Sequence, residues 1–386
     1  MTKLVCARCQ SVFDDSHDAG CPKCGAHYPH VYDFENSENH LRENVPRVLN
    51  ERKGAGLDGL VGGLDSIVVN VESGRFDGTV LEMLGNTGML VEDAFSSPHG
   101  MTCVLGGNEG PRVLITTRDS EGPFREINDH PRSSHLPDTR LETMIFVTSD
   151  VQRYFEIQSS RGVEFMTDGV IQGEGFSFVQ TKPSRYTGNS IGLIQRHEGR
   201  SYRGKDSLPI QPPEVEGGAH LENIGRIDHA ATRIHAQDRD PAILEFMSLT
   251  NYDFDFAIYV KTFNSITSVA RLSADDFALV FTSGISPHGN GGEGPTEKFV
   301  HEYGARVHHI AFRTGEIEDT YLALKESGQR FLLELVGSPE EGLKQTFTIP
   351  SQNTLLVNEY IHRYEGFDGF FAKHNVAILT EATGKQ

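Results

Sequence analysis

A chain of 386 residues with a formal net charge of −19 is long enough for two packed modules, and it is too acidic to attract a nucleic-acid backbone. Forty glycines and seventeen prolines indicate many turns and short strands, which excludes a bundle of long helices. No apolar run reaches the roughly eighteen residues that a membrane span requires, and MTKLVCARCQ lacks the apolar core of a signal peptide. We therefore expect a cytoplasmic protein with no nucleic-acid or membrane partner.

Two CxxC pairs lie close together near the start of the chain. Cys6 with Cys9 and Cys21 with Cys24 are separated by eleven residues, a spacing with which two tight turns present four thiolates to one tetrahedral ion. A redox dithiol is the alternative reading, but a thioredoxin-type pair follows a strand and opens a helix, which this segment does not resemble. The spacing predicts a structural Zn(II) in a zinc ribbon or knuckle over residues 1–30.

A polar segment follows, and then short strand-like runs alternate with helical stretches. Residues 31–60 are mixed in charge and predict a linker with one helix near 40–51. Residues 61–200 predict an N-terminal domain, because apolar runs such as LDSIVVNV have the length and composition of strands. Its predicted strands are 64–71, 102–105, 113–117, 141–148, 176–180 and 191–196, and its predicted helices are 77–84 and 150–160.

The same order of elements returns after a connector. Residues 201–224 are rich in glycine and proline and predict a second linker, and residues 225–386 predict a C-terminal domain. Its predicted strands are 226–234, 255–260, 265–272, 277–282, 307–314, 346–349 and 354–363, and its predicted helices are 241–249, 316–327 and a closing lid helix within 367–380.

Similar short stretches of sequence in the two halves support a duplication. LDSIVV aligns with IDHAAT, MIFVTSD with HIAFRTGE, and IQRHEG with IHRYEG, at nearly constant offsets. The sequence therefore predicts an α+β fold of duplicated βαβββ modules. Three aligned positions differ in chemistry between the copies, namely Ser66 and His229 (163 residues apart), Met144 and His309 (165 apart), and Gly192 and Glu359 (167 apart).

The second copy carries a candidate metal triad that the first copy lacks. Two imidazoles and one carboxylate form the facial triad of non-haem Fe(II) sites, which leaves coordination positions open for substrate and O2. A lone histidine on a strand is more often a satisfied polar residue than a ligand. His229, His309 and Glu359, however, lie on strands that a duplicated module brings together, and alternation turns His308 to the opposite face from His309.

These motifs resemble the vicinal-oxygen-chelate superfamily and, within it, the 4-hydroxyphenylpyruvate dioxygenase and hydroxymandelate synthase family. The resemblance covers roughly residues 60–380 and is carried by IDHAATRI, VHHIAFRT, KQTFTIPSQNTLLVNEYIHR and GFDGFF. It implies Fe(II) at the His-His-Glu set, with the bound 2-oxo acid beside Gln345. It further implies that a substrate-contacting serine and an aromatic clamp complete the site, and these are Ser268, Phe347, Phe367, Phe370 and Phe371.

The implied reaction is the oxidative decarboxylation of an aryl 2-oxo acid with O2, followed by hydroxylation of the same molecule. One departure bears on the substrate: FTSGIS, residues 281–286, stands where the family usually has an Asn-Glu-Pro sequence that orients the substrate's phenol. Extradiol ring cleavage, a metal-assisted isomerisation, and a non-catalytic small-ligand or partner-binding protein stay open as alternatives. Assembly as a homo-oligomer also stays open.

Overall fold

The computed structural model describes residues 35–107, 110–118, 122–213, 218–287, 294–365, 367 and 369–384, and the backbone of β1 (Lys3–Val5) and β2 (Val12–Asp14). These two short strands pair antiparallel. The four cysteines of the predicted zinc ribbon, Cys6, Cys9, Cys21 and Cys24, lie outside the described residues. The zinc site therefore stays a prediction.

Two mixed sheets form the body of the described chain. The strands of the first sheet are β3 (Val61–Asn70), β4 (Leu90–Ser97), β5 (Gly100–Gly106), β6 (Arg112–Thr116), β7 (Arg140–Thr148), β8 (Ile171–Gln172), β9 (Phe176–Gln180), β10 (Ser190–Arg196) and β11 (Leu208–Pro209). The strands of the second sheet are β12 (Ile224–Arg233), β13 (Asp253–Val260), β14 (Ser265–Arg271), β15 (Ala278–Gly284), β16 (Arg306–Thr314), β17 (Val336–Ser338), β18 (Leu343–Phe347) and β19 (Val357–Arg363).

Helices cover the sheets and close the chain. They are α1 (Glu38–Ala55), α2 (Phe76–Asn86), α3 (Phe124–Ile127), α4 (Val151–Ser160), α5 (Arg239–Leu249), α6 (Pro295–Tyr303), α7 (Ile317–Glu326) and α8 (Lys373–Thr383). The start of α4 has a local cause, because the Asp150 carboxylate accepts a hydrogen bond from the Arg153 backbone amide. Among the described helices, none combines the length and the apolar character that crossing a membrane requires.

Strand order confirms the predicted duplication. The first sheet runs β4-β5-β6-β3-β7-β10-β9-β8, with β11 added at the β4 edge, and the second runs β13-β14-β15-β12-β16-β19-β18-β17. Parallel pairs occur at the same places, β3 with β6 and β7 with β10 in one sheet, β12 with β15 and β16 with β19 in the other. The α+β fold of two similar modules is therefore present as predicted.

The strand register confirms two of the three aligned positions and corrects the third. Val68 pairs with Thr143 in the first sheet, whereas Ala231 pairs with His309 in the second. Thr143, rather than Met144, therefore occupies the position of His309. The two confirmed equivalences follow from the paired rows Ser66–Ile145–Gly192 and His229–Ala311–Glu359.

The two modules pack through one apolar core. The ring of Phe146, on β7, lies 5.8 Å from the Phe246 ring of α5 and 5.2 Å from the Tyr252 ring. The Tyr154 hydroxyl of α4 donates to the Leu249 carbonyl at 2.8 Å. The 18-residue helix α1, within the predicted linker, also packs on α5. This shared core leaves the opposite face of the second sheet available for a site.

Candidate metal centre and ligand cavity

Three polar side chains converge at the centre of the second sheet, on the neighbouring strands β12, β16 and β19. His229, His309 and Glu359 are buried, and one potential ligand atom from each lies within 4.8 Å of the others. Glu359 Oε2 is 3.2 Å from His229 Nε2 and 3.2 Å from His309 Nε2. The fold thus brings together the three residues that the sequence singled out.

Two observations test whether this set fits a divalent metal. His229 Nε2 and Glu359 Oε1 are buried atoms without a hydrogen-bond partner among the described residues, an arrangement that costs free energy unless another group satisfies them. Two imidazole nitrogens and one carboxylate also match the donor set of a facial triad, which holds a metal and keeps several coordination positions open. The residues present therefore fit a catalytic metal such as Fe(II).

A buried carboxylate behind the triad orients one of its histidines. Asp228 Oδ1 lies 2.8 Å from His229 Nδ1, and Oδ2 accepts from Arg313 Nε at 2.8 Å and Arg363 Nη1 at 2.6 Å. Burial alone would raise the pKa of Asp228, but the hydrogen bonds from His229 and Arg363 hold it well below its usual range. The ionised Asp228 accepts the Nδ1 proton of His229, so Nε2 is the nitrogen that faces the triad and that a bound metal would take in place of a proton. The sequence analysis did not single out Asp228, although it directly precedes His229.

The two histidines differ in electrostatic surroundings. Burial opposes the charged form of both, but the carboxylates of Glu359 and Asp228 reverse this at His229 and raise its pKa to about 9. At His309, burial and the charges of His308, His229 and Arg233 together hold the pKa well below its usual value. His309 is therefore neutral, which is the form that binds a metal.

A cavity opens directly on the triad. It is small, about 60 Å³ in volume. His309 and Glu359 lie in its wall, and Val376, Leu379 and Thr380 of α8 line another side. Helix α8 thus forms part of the cover over the triad.

Aromatic rings surround the triad. The Phe347 ring is 4.8 Å from the His309 ring, and the rings of Phe371 and Phe370 are 5.2 Å and 5.5 Å from the His229 ring. Phe347 and Phe371 line the cavity. Phe367 is not in the cavity lining and instead packs, as Phe371 also does, against the cluster that contains Leu343 and Ile361.

Gln345 and Ser268, the two polar side chains expected beside the substrate, lie on different faces of the sheet. Gln345 is fully buried, and neither its amide nitrogen nor its amide oxygen has a hydrogen-bond partner. It shares a face with Phe347, which pairs with Glu359. Ser268 pairs with Phe281, whose ring packs on α5. Ser268 therefore points away from the cavity.

The neighbouring residue takes the place that the sequence analysis gave to Ser268. Thr267 lines the cavity, because successive side chains of a strand point to opposite faces. It pairs with Thr282, another cavity residue. Of the expected residues, the structure thus brings Phe347, Phe371 and Phe370 to the triad, leaves Gln345 on the same face, and turns Ser268 to the other.

Two sheets of this strand order, with a His-His-Glu set at the centre of one, define the vicinal-oxygen-chelate fold in its two-module form. No protein-family model matches the sequence, and no curated protein matches it, but solved structures match the fold. One is a triple mutant of 4-hydroxymandelate synthase from Streptomyces coelicolor, with a TM-score of 0.64 and 16% identity over 84% of this chain and 99% of that chain.

A second match is a xylose isomerase-like TIM barrel/4-hydroxyphenylpyruvate dioxygenase fusion protein. Its TM-score is 0.60 at 16% identity, over 89% of this chain and 57% of that chain. The chain thus spans little more than half the length of that fusion protein. Both comparisons show that the fold is that of the family named from the sequence motifs.

Proposed function

We propose that the protein is an Fe(II)-dependent dioxygenase that oxidatively decarboxylates a 2-oxo acid, an aryl one by the family resemblance, with O2 and hydroxylates the same molecule. The observation that carries the proposal is the convergence of His229, His309 and Glu359, of which His309 and Glu359 line a cavity that Phe347 and Phe371 also line. A three-residue set with unsatisfied ligand atoms suits a metal that also binds substrate. The fold supports the same conclusion independently of those residues.

The chain's own side chains supply binding, orientation and exclusion of water. Asp228 holds His229 in the tautomer that presents Nε2 to the metal. Gln345, with both amide atoms unsatisfied, is available to hydrogen-bond the oxygens of the 2-oxo acid. Phe347 and Phe371 confine the organic part of the substrate, and α8, which lines one side of the cavity, limits the access of water. When bound, Fe(II) supplies the redox chemistry with O2.

The decisive experiment follows gas exchange in the Fe(II)-loaded protein. We would purify the full chain anaerobically, add Fe(II), and measure O2 uptake and CO2 release with a panel of aryl and alkyl 2-oxo acids. The proposal requires equal molar O2 uptake and CO2 release with at least one of them. Iron binding without gas exchange on any 2-oxo acid would contradict it and would favour ring cleavage or isomerisation.

A pair of variants assigns that activity to the triad. His309→Ala removes a ligand, and Thr143→Ala changes the equivalent position of the first module. We expect no turnover in the first variant and unchanged turnover in the second. A His309→Ala protein that turns over normally would refute the site.

A further inference from the structure

A buried arginine lies in the wall of the same cavity, and no acidic residue of the described part of the chain pairs with it. Arg233 is 6% exposed and follows His229 by four residues on β12, so the two side chains share a face of the sheet. Its Nη1 has no hydrogen-bond partner, and no carboxylate of the described residues forms an ion pair with it. A buried guanidinium in this state is unfavourable unless a ligand completes it.

The contact that Arg233 does make leaves its hydrogen-bond donors available. Its Cζ lies 4.6 Å from the centroid of the Phe299 ring, which covers one flat face of the guanidinium. The N–H groups lie in the plane of the guanidinium and form a fork that matches a carboxylate. Burial lowers the pKa of Arg233 to about 9, so the side chain still carries its charge at neutral pH.

Hydroxyl groups surround this end of the cavity. Arg233 pairs with Thr282 across β12 and β15, and Thr282 pairs with Thr267 across β15 and β14. All three line the cavity, as does Thr296 at the start of α6. A guanidinium flanked by hydroxyl donors is the chemistry of an anion subsite. Thr282 belongs to the segment that replaces the family's phenol-orienting sequence.

The spacing along β12 separates this subsite from the triad. Four residues of strand span about 13 Å between the Cα atoms of His229 and Arg233. Ala231 lies between them on the same face and lines the cavity, as His309, Glu359 and Arg233 do, so the cavity wall runs from the triad to Arg233. A 2-oxo acid anchored at the triad can therefore extend along the strand towards Arg233.

We propose that the substrate carries a second carboxylate, distal to its 2-oxo acid group, and that Arg233 binds this carboxylate with the help of Thr282 and Thr267. This inference rests on the proposed function, whose site it extends. It assigns Arg233 as the residue that determines substrate specificity and makes the preferred substrate a 2-oxo dicarboxylic acid.

The test compares phenylpyruvate with 4-carboxyphenylpyruvate, two 2-oxo acids that differ only in the distal carboxylate. In the wild-type protein we expect kcat/KM for the carboxylated acid to exceed that for phenylpyruvate by roughly 100-fold, the scale of a buried charge pair. Arg233→Met should remove most of that preference and change kcat/KM for phenylpyruvate only a few-fold. Arg226→Met, on the same strand with an exposed guanidinium, is the matched control and should keep the preference.

Binding measurements separate this inference from the proposed function. Anaerobic calorimetry reports the dissociation constants of both acids whether or not the protein consumes O2. Tighter binding of the carboxylated acid that is lost in Arg233→Met supports the anion subsite, even if no 2-oxo acid supports gas exchange and the dioxygenase proposal fails. If Arg233→Met does not fold, Arg233→Lys and Arg233→Gln take its place. Equal binding of the two acids by the wild type would overturn the inference.

Discussion

The two modules share a fold, yet among the described residues only the second contains a candidate metal site, and the contrast shows what a site requires beyond a fold. Each module keeps an Asp–Arg pair, Asp65 with Arg196 and Asp228 with Arg363. In the second module this pair supports a histidine, whereas in the first Asp65 accepts from the Tyr202 hydroxyl at 2.7 Å. Both modules therefore have the Asp–Arg pair, but only the second also has the described His-His-Glu ligand set.

The face of the first sheet that corresponds to the cavity is filled by side chains. Ile145, Phe176 and Ile194 form an apolar cluster there, and Phe178 and Tyr202 pack against it. Tyr202 belongs to the connector between the modules, which covers this face where α8 covers the second. A module without ligands thus buries apolar side chains, and a module with ligands keeps a cavity.

Exchanging a ligand for its counterpart in the first module should give the largest effect. His309→Thr installs the residue type of Thr143 and removes an imidazole ligand. We expect the protein to lose its catalytic Fe(II) and its turnover to fall by more than about 1,000-fold. Metal analysis by mass spectrometry and O2 uptake measure both, and a variant that retains iron would show that the triad is not the metal site.

The reverse exchange should fail for lack of space. A Cβ at Gly192 would lie 2.8 Å from Phe178 Cε2 and 2.9 Å from Ile145 Cγ1. We expect Gly192→Glu, combined with Ser66→His and Thr143→His, to create no metal site and to destabilise the protein by about 3 kcal/mol or more. Denaturant unfolding and iron titration test this, and stoichiometric binding of an additional iron would contradict the account.

Removing the negative charge of Asp228, which lies behind the ligand His229, should have a smaller effect that is confined to the second module. Asp228→Asn leaves the side-chain volume unchanged but weakens the orientation of His229, so iron affinity should fall about 10-fold to 100-fold. Asp65→Asn is the matched change in the first module and should lower stability without altering iron affinity. Equal iron affinities in the two variants would mean that Asp228 has only a structural role.

The smallest expected effect compares two adjacent residues of β14. Thr267→Val removes a hydroxyl from the cavity wall and should lower kcat/KM about 5-fold to 10-fold, whereas Ser268→Ala, on the opposite face, should leave kcat/KM unchanged. Steady-state kinetics with the best 2-oxo acid measures both. A larger effect from Ser268→Ala would restore the role that the family resemblance gave to this serine.

Much of this organisation could be predicted from sequence because apolar runs of strand length mark most of the sheet positions. The sequences around His229, His309 and Glu359 also resemble short stretches of the first half. Strand β4 was not predicted, because Glu92 and Asp93 interrupt its apolar residues and only two of its eight residues are buried. Helix α6 was also missed, since PTEKFVHEY is short and follows a glycine-rich segment.

Other features depend on strand register, which local sequence comparison does not determine. Local comparison of MIFVTSD with HIAFRTGE aligns Met144 with His309, but the strand pairs Val68–Thr143 and Ala231–His309 make Thr143 the equivalent residue. An error of one residue likewise assigned the cavity position to Ser268, whereas Thr267 occupies it. The importance of Arg233 emerges only in three dimensions, because it depends on the absence of a nearby carboxylate among the described residues.

The most direct test of the central claim is an anaerobic Fe(II) titration of the wild-type chain beside His309→Thr and Thr143→Ala. The account predicts one tightly bound iron per chain in the wild type and in Thr143→Ala, and none in His309→Thr. If His309→Thr bound iron as the wild type does, or if the wild type bound none, the second module would not be the metal-binding half of this protein.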